Sequence, residues 1–432
     1  MTATIAPRPV AARAALTQPG LAPAGWPLAL VGTGMPLMFF LGLHAFVWVV
    51  PAFVFGAQLL EQRNLRVPVA AVPLGLLVVW IPLGALRLTP SELPLFSYRF
   101  LLFASTFATL LWIVNTSQSE FSNATLVRHM SRLWIALIGF GYLAMLFPRL
   151  SVASPFQIAA PGPIVSNPFF FDLTRLRFAE LQTLVTIEAA RPAAPMAYAN
   201  GWGSTVGLLT PFFALDWLVA VDPRRRRVGW MLAVAAVVPI VVSVNRGLWL
   251  SLTVAVVYLA ARRALRGDLR MIIGVGIALV IVLNAVLLSP LGATVRERFE
   301  DQDQSNSTRV ALYEAAFDYA QKSPLVGWGT TIDIGLGKQL GTHGLVWYSM
   351  FVHGFPALIF LLAFATFAVL GTARAPTQTS MFAHLVVIIF VTQLPYYGLL
   401  PQVLVVAIAV GVSRREYDAV FARRRRSGAP EH

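Results

Sequence analysis

Apolar residues recur along nearly the whole chain in blocks of roughly 17–25, the length at which a helix crosses about 30 Å of hydrocarbon. The blocks predict helical spans at 27–41, 42–60, 67–87, 98–115, 132–149, 204–221, 228–244, 247–261, 271–289, 344–371, 380–394 and 396–412. Pro27, Pro36 and Pro51 interrupt the first two, which leaves open a surface or re-entrant helix at the start. The expected fold is an all-α integral membrane protein of about 12 transmembrane helices.

Two connections, 150–203 and 290–343, are far longer than the turns between the other spans, and connections of that length usually carry function. In the second, STRVALYEAAFDYAQKSP opens on Ser/Thr capping candidates, puts Leu312, Ala316 and Tyr319 on one face and stops at Pro324. It predicts an amphipathic helix on the outer surface. The glycine-rich PLVGWGTTIDIGLGKQLGTH follows and leads His343 to the edge of the next span.

Composition agrees with a membrane protein: 57% of the 432 residues are hydrophobic and 12% are charged. The net charge of +14 sits largely in arginine runs such as 224–227, 262–270 and 414–426, at span ends, as the positive-inside rule requires and nucleic-acid binding does not. With those runs in the cytoplasm, both termini are cytoplasmic and both long connections lie outside. Residues 1–26 then form a disordered cytoplasmic tail, 27–412 the polytopic domain and 413–432 a basic cytoplasmic tail. The chain has no cysteine, which removes disulfides and thiolate metal sites.

Few arginines lie on the outer side. Arg246, in VSVNRGLWL, stands in a tight break between two apolar helices, where a guanidinium either snorkels to lipid phosphate or joins other arginines on a diphosphate. Arg309 opens the amphipathic helix, where it is either a solvated helix arginine or a diphosphate ligand from above, and Arg191, before a span in EAARPAAPMAYANGWG, is a third candidate for the diphosphate. Of six histidines, only His343 stands at the outer edge after a glycine-rich loop, where a neutral imidazole can take a proton from a sugar hydroxyl or merely end a helix. His44, His353 and His384 fall in apolar spans, where packed, hydrogen-bonded side chains are expected. Metal-ligand spacing is absent apart from Asp301 and Asp303 in EDQD, which read more simply as a solvated loop, so neither metal nor cofactor is expected.

Asn-Arg-Gly at 245–247 between two spans, the arginine at 309, Pro-Leu-Val-Gly-Trp-Gly at 324–329, Thr-His at 342–343 and YANGWG at 198–203 occur in an order that resembles the O-antigen ligase and polymerase superfamily of bacterial membrane glycosyltransferases. The resemblance covers roughly residues 195–370. It implies an outer cavity for a polyprenyl-diphosphate-linked glycan donor, with Arg246 and Arg309, and less firmly Arg191, on the diphosphate. His343 would activate a hydroxyl of a lipid or saccharide acceptor, and transfer would invert the anomeric centre without a metal. The implied setting is the outer face of a bacterial cytoplasmic membrane, with membrane lipids around a chain expected to be a monomer. Gly344 follows the histidine where family members often have a polar residue and then an aromatic, so ligation and repeat-unit polymerisation both fit.

Two other readings compete. A transporter of lipid-linked glycans would show matching halves with broken helices and acidic residues within spans; no such halves are evident, and Asp216 is the clear acidic candidate. A peptidoglycan-type polymerase would place an essential acid in an outer loop, which points to Glu314 and Asp318.

Overall fold

The computed structural model describes residues 24–166, 168–184, 187–274, 276, 302–333, 339–340 and 344–427. The chain is mostly helical. It opens with two short helices, α1 (Trp26–Gly32) and α2 (Met35–Leu41), then a 3-10 turn at Phe46–Trp48 and α3 (Val50–Leu60). The single span expected at 27–41 is thus broken at Thr33-Gly34, where the next helix restarts on Met35-Pro36, proline being well placed in a first turn. After α4 (Ala71–Trp80), which tightens to a 3-10 segment at Ile81–Arg87 over Pro82, come α5 (Leu93–Asn115) and α6 (Asn123–Leu146). Helix α6 begins nine residues before the predicted span because Ser122 caps it, accepting from the Thr125 N–H, and its first turns carry Arg128 and His129.

The connection that follows is built from short pieces: α7 (Pro155–Ala159), α8 (Gly162–Val165), α9 (Pro168–Thr174), the β1–β2 pair (Ser151–Val152, Leu176–Arg177) and the antiparallel β3–β4 hairpin (Ala179–Leu184, Ile187–Pro192). Then come α10 (Ala199–Phe213, with a π turn at Ala214–Leu218), α11 (Pro223–Val242), α12 (Arg246–Ala264), α13 (Gln302–Lys322), α14 (Leu345–Ala373), α15 (Gln378–Gln393) and α16 (Val403–Ser427). The span expected at 271–289 lies almost wholly outside the described residues. The last helix starts at 403, not 396, and continues to Ser427, through most of the 413–432 segment expected as a tail.

Four described helices, α5, α6, α12 and α14, are long and apolar enough to cross a membrane; Phe46–Leu60, Ala71–Arg87 and α15 are shorter apolar segments. The core forms where α5 packs on α3 and α16, α6 on α10, and α15 on α12 and α16. At one end of the bundle Asn115 accepts from the Arg66 N–H at 2.7 Å, and Arg415 donates to the carbonyls of Thr116 and Phe121. The opposite end holds the starts of α5, α10, α12, α14 and α16.

Helix α14 is broken about two and a half turns from its start by Gly354, at φ 83°, followed by Pro356. Proline has no N–H to give Val352 O, and its ring crowds that carbonyl. The PLVGWG loop supplies what is missing: Trp328 N donates to Phe351 O at 3.0 Å, Gly329 N to Val352 O at 2.8 Å, and Phe355 N returns a bond to Pro324 O at 2.8 Å. Gly327, at φ 67°, must be small because a Cβ there would stand 2.5 Å from the Val352 carbonyl carbon. Arg87 ties down the same loop through Ser323 Oγ (2.6 Å) and Gly327 O (3.3 Å). The motif is a plug for a helix break, and it fixes how α13 meets α14.

Candidate functional site

The turn between α11 and α12 is held from three sides. Asn245 is the N-cap of α12, its Oδ1 accepting from Leu248 N at 2.9 Å, so Arg246 is the first helical residue. Buried Arg191, from β4, donates Nε to Ser243 O at 2.8 Å and Nη2 to Asn200 Oδ1 at 3.1 Å. Glu180 pairs with Arg191 across the hairpin and accepts the Ala199 N–H at 2.8 Å, a carboxylate at the positive start of α10. Gly203 gives the turn room: a Cβ there would meet Asn245 Nδ2 at 2.2 Å. The hairpin, the YANGWG segment and the Asn-Arg-Gly turn therefore form one unit, and Arg246 leaves it exposed, with neither hydrogen bond nor ion pair among the described residues.

A second unit meets it at residues 394–402, read from sequence as the start of a span. Tyr397 donates its hydroxyl to Asn245 Oδ1 at 2.6 Å, accepts Gly247 N at 2.9 Å, and receives Leu345 N on its own carbonyl at 2.8 Å. One residue thus bonds to the starts of both α12 and α14. Gly344, at φ 118°, lies against Pro395, whose oxygen a Cβ would meet at 2.3 Å. Trp347 Nε1 donates to Pro395 O at 3.2 Å, and its ring stacks on Tyr313 at 4.4 Å and 12°. That stack docks α13 over the start of α14, with Arg309 one turn before Tyr313 on the helix.

Beside this junction is a cavity of about 410 Å³ between α5, α9, α10 and the 400–402 turn. Arg99, Tyr98, His44, Asp172, Tyr198 and Gln402 supply its polar lining, and Trp48 and Met196 part of its apolar wall. Arg99 makes no ion pair among the described residues; its guanidinium lies 5.3 Å from the Tyr348 ring centroid, one turn into α14. Gln402 is held by Gly201 O (3.2 Å) and Thr205 Oγ1 (3.1 Å), adjacent in sequence to the Asn200 that Arg191 holds. His44, in the turn after α2 and outside the helical segments, is buried, and its Nδ1 has no hydrogen-bond partner among the described residues. Burial, reinforced by the Arg177 charge, lowers its pKa to about 4, so the ring is neutral at ordinary pH.

The model of the O-antigen ligase family matches residues 231–349. That segment is O-antigen ligase-like. The match ends five residues into α14 and covers less than a third of the chain. No curated protein matches the chain.

Of the residues singled out by sequence, Arg246 and Arg309 lie inside the O-antigen ligase-like segment, as does His343, which falls outside the described residues together with Asp301. Arg191 precedes the segment and is turned into the protein. His384 is packed and hydrogen-bonded, Nε2 with Tyr258 at 2.8 Å and Nδ1 with Thr372 at 2.7 Å. His353 is packed but, against expectation, neither ring nitrogen has a hydrogen-bond partner among the described residues; Phe96, Phe103 and Tyr348 present ring edges or faces to it. Asp216, the acidic candidate for a transporter, is paired with Arg225 of the arginine run 224–227. Glu314 and Asp318 lie on α13. The sequence reading passed over Arg99 and Tyr397, although SYRF at the start of an apolar run and the Pro395, Gly398, Pro401 spacing were available as signals.

Proposed function

We propose that the chain is a membrane glycosyltransferase of the O-antigen ligase type, moving a glycan from polyprenyl diphosphate to a hydroxyl of a lipid or saccharide acceptor. The observation that carries this reading is the Tyr397 junction: it ties the helix start bearing Arg246 to the helix start next to His343, within the segment that resembles the family. An exposed arginine without a protein partner suits an anionic ligand, because its guanidinium fork matches phosphate oxygens and needs no proton loss or gain to do so.

In the proposed step the acceptor hydroxyl oxygen attacks the anomeric carbon of the donor sugar, and the bond from that carbon to the diphosphate oxygen breaks. The bonding pair leaves with the diphosphate, whose growing charge Arg246 and Arg309 neutralise. His343 takes the hydroxyl proton. The adjoining cavity is the acceptor's place: Arg99, Tyr198 and Gln402 offer hydrogen-bonding and aromatic surface of the kind sugars use. The arginine-rich end faces the cytoplasm and the junction faces outward from the cytoplasmic membrane.

The test is product identity. Purified protein supplied with a polyprenyl-diphosphate glycan and a panel of hydroxyl acceptors should release free polyprenyl diphosphate in equal amount to glycosylated acceptor. Movement of intact donor across a vesicle bilayer without that release would mean transport and would end the proposal.

A further inference from the structure

At the other end of the bundle, a groove of about 350 Å³ between the end of α12 and the turn joining α14 to α15 is lined by Arg262, Arg263, Arg266 and Arg374 and by no carboxylate. Arg262 is committed to the fold: Nη2 donates to the carbonyls of Ala373 and Arg374, closing the end of α14, and Nη1 donates to Tyr258 Oη at 3.3 Å. Arg374 gives Nη1 to Tyr417 at 3.1 Å and keeps its other donors. The side chains of Arg263 and Arg266 have no hydrogen bond or ion pair among the described residues. Of the nearby acids, Glu416 accepts from Thr377, on the groove's edge, and from Asn123, and Asp268 accepts the Arg270 N–H. The groove floor is apolar, made by Leu259, Pro376, Met381 and Phe382.

Four guanidinium groups held together on two helix ends repel one another unless an anion lies among them, and an apolar floor below a cationic rim suits a ligand with a charged head and a hydrocarbon body. The start of α15, capped by Thr377, adds its partial positive charge to the same groove. We propose that this groove binds the phosphate headgroup of an anionic phospholipid, with the acyl chains running along the exposed Val256 and Val257 face of α12. This site is remote from the Tyr397 junction and does not depend on the glycosyltransferase reading.

The test uses the full chain in a zwitterionic detergent, titrated in native mass spectrometry with phosphatidylglycerol, diphosphatidylglycerol, phosphatidylcholine and inorganic phosphate. The triple variant Arg263→Gln/Arg266→Gln/Arg374→Gln is compared with Arg224→Gln/Arg226→Gln/Arg227→Gln, which removes the same charge from an exposed run at the start of α11. An anionic phospholipid should bind the wild type and the second variant alike, and bind the groove variant on the order of a hundredfold more weakly. Equal loss in both variants, equal binding of phosphatidylcholine, or displacement of lipid by inorganic phosphate at similar concentration would overturn the proposal. Should the triple variant not fold, Arg266→Gln alone, at an exposed position whose side chain has no partner among the described residues, carries the comparison with binding weakened about fivefold.

Discussion

The Tyr397 hydroxyl lies 2.6 Å from Asn245 Oδ1, joining positions 152 residues apart in sequence. Through that bond, and through Gly247 N and Leu345 N, two helix starts from opposite ends of the O-antigen ligase-like segment are fixed side by side. The geometry of Arg246 is therefore set by a residue that the family match does not reach.

Tyr397→Phe keeps the ring and removes the hydroxyl, leaving Gly247 N and part of Asn245 buried without a partner. The cost is about 1–3 kcal/mol, read as a lowered midpoint in thermal unfolding. Transfer activity should fall by more than the stability loss explains, because the Arg246 helix start loses its tether. Wild-type activity in a folded Tyr397→Phe protein would mean the tether is irrelevant to the site.

Arg246 and Arg191 separate binding from architecture. Arg246→Ala should leave the unfolding midpoint within experimental error and lower the rate by roughly 10²–10³. Arg191→Ala removes charged hydrogen bonds to Ser243 and Asn200 and should cost about 1.5–3 kcal/mol in stability. If Arg246→Ala destabilises the fold as much as Arg191→Ala does, Arg246 is structural.

The plug of the α14 break makes a glycine prediction. Gly354→Ala would force a Cβ to 2.1 Å from Leu325 O at φ 83°, and Gly327→Ala is similarly crowded. Strain of about 1–3 kcal/mol is expected in each from the backbone alone, with the clash added. Gly371→Ala, in the same helix with nothing near its missing Cβ, should be neutral or gain up to about 1 kcal/mol. Chemical denaturation of the three variants distinguishes these outcomes.

Arg99→Ala and Tyr198→Ala test the cavity. Each should raise the KM for acceptor more than the KM for donor, since both residues line the cavity. A selective rise in donor KM would assign the cavity to the donor glycan.

His44 gives a pH prediction. Its pKa is lowered by folding, to about 4 from 6.5, so its contribution to stability is complete above pH 6.5 and is lost as pH falls toward 4. The unfolding midpoint of His44→Gln should therefore depend less on pH than that of wild type across this window. Parallel profiles would place the pH sensitivity elsewhere.

Some of the surrounding architecture was legible in sequence, for local reasons. The tight break between two apolar helices at VSVNRGLWL is present, and Asn245 caps the second helix with Arg246 as its first residue. Leu312 and Ala316 follow helical spacing, and both are buried on α13. What was not legible depends on distant partners. Tyr397 looked like part of an apolar span because nothing local reveals that its hydroxyl meets Asn245. Arg99 fell at the edge of a span boundary drawn from hydropathy, which treats a charge as an end and cannot see a cavity facing it. The start of α6 was set nine residues late for the same reason: Arg128 and His129 argued against a span, whereas the Ser122 cap begins the helix before them.

The most direct test of the central claim is release of polyprenyl diphosphate by purified protein with donor and acceptor, comparing wild type with His343→Ala, Arg246→Ala and Arg309→Ala, each with and without a chelator. The account predicts chelator-resistant turnover in wild type and its collapse, by roughly 10²-fold or more, in all three folded variants. Undiminished turnover in His343→Ala and Arg246→Ala would contradict it.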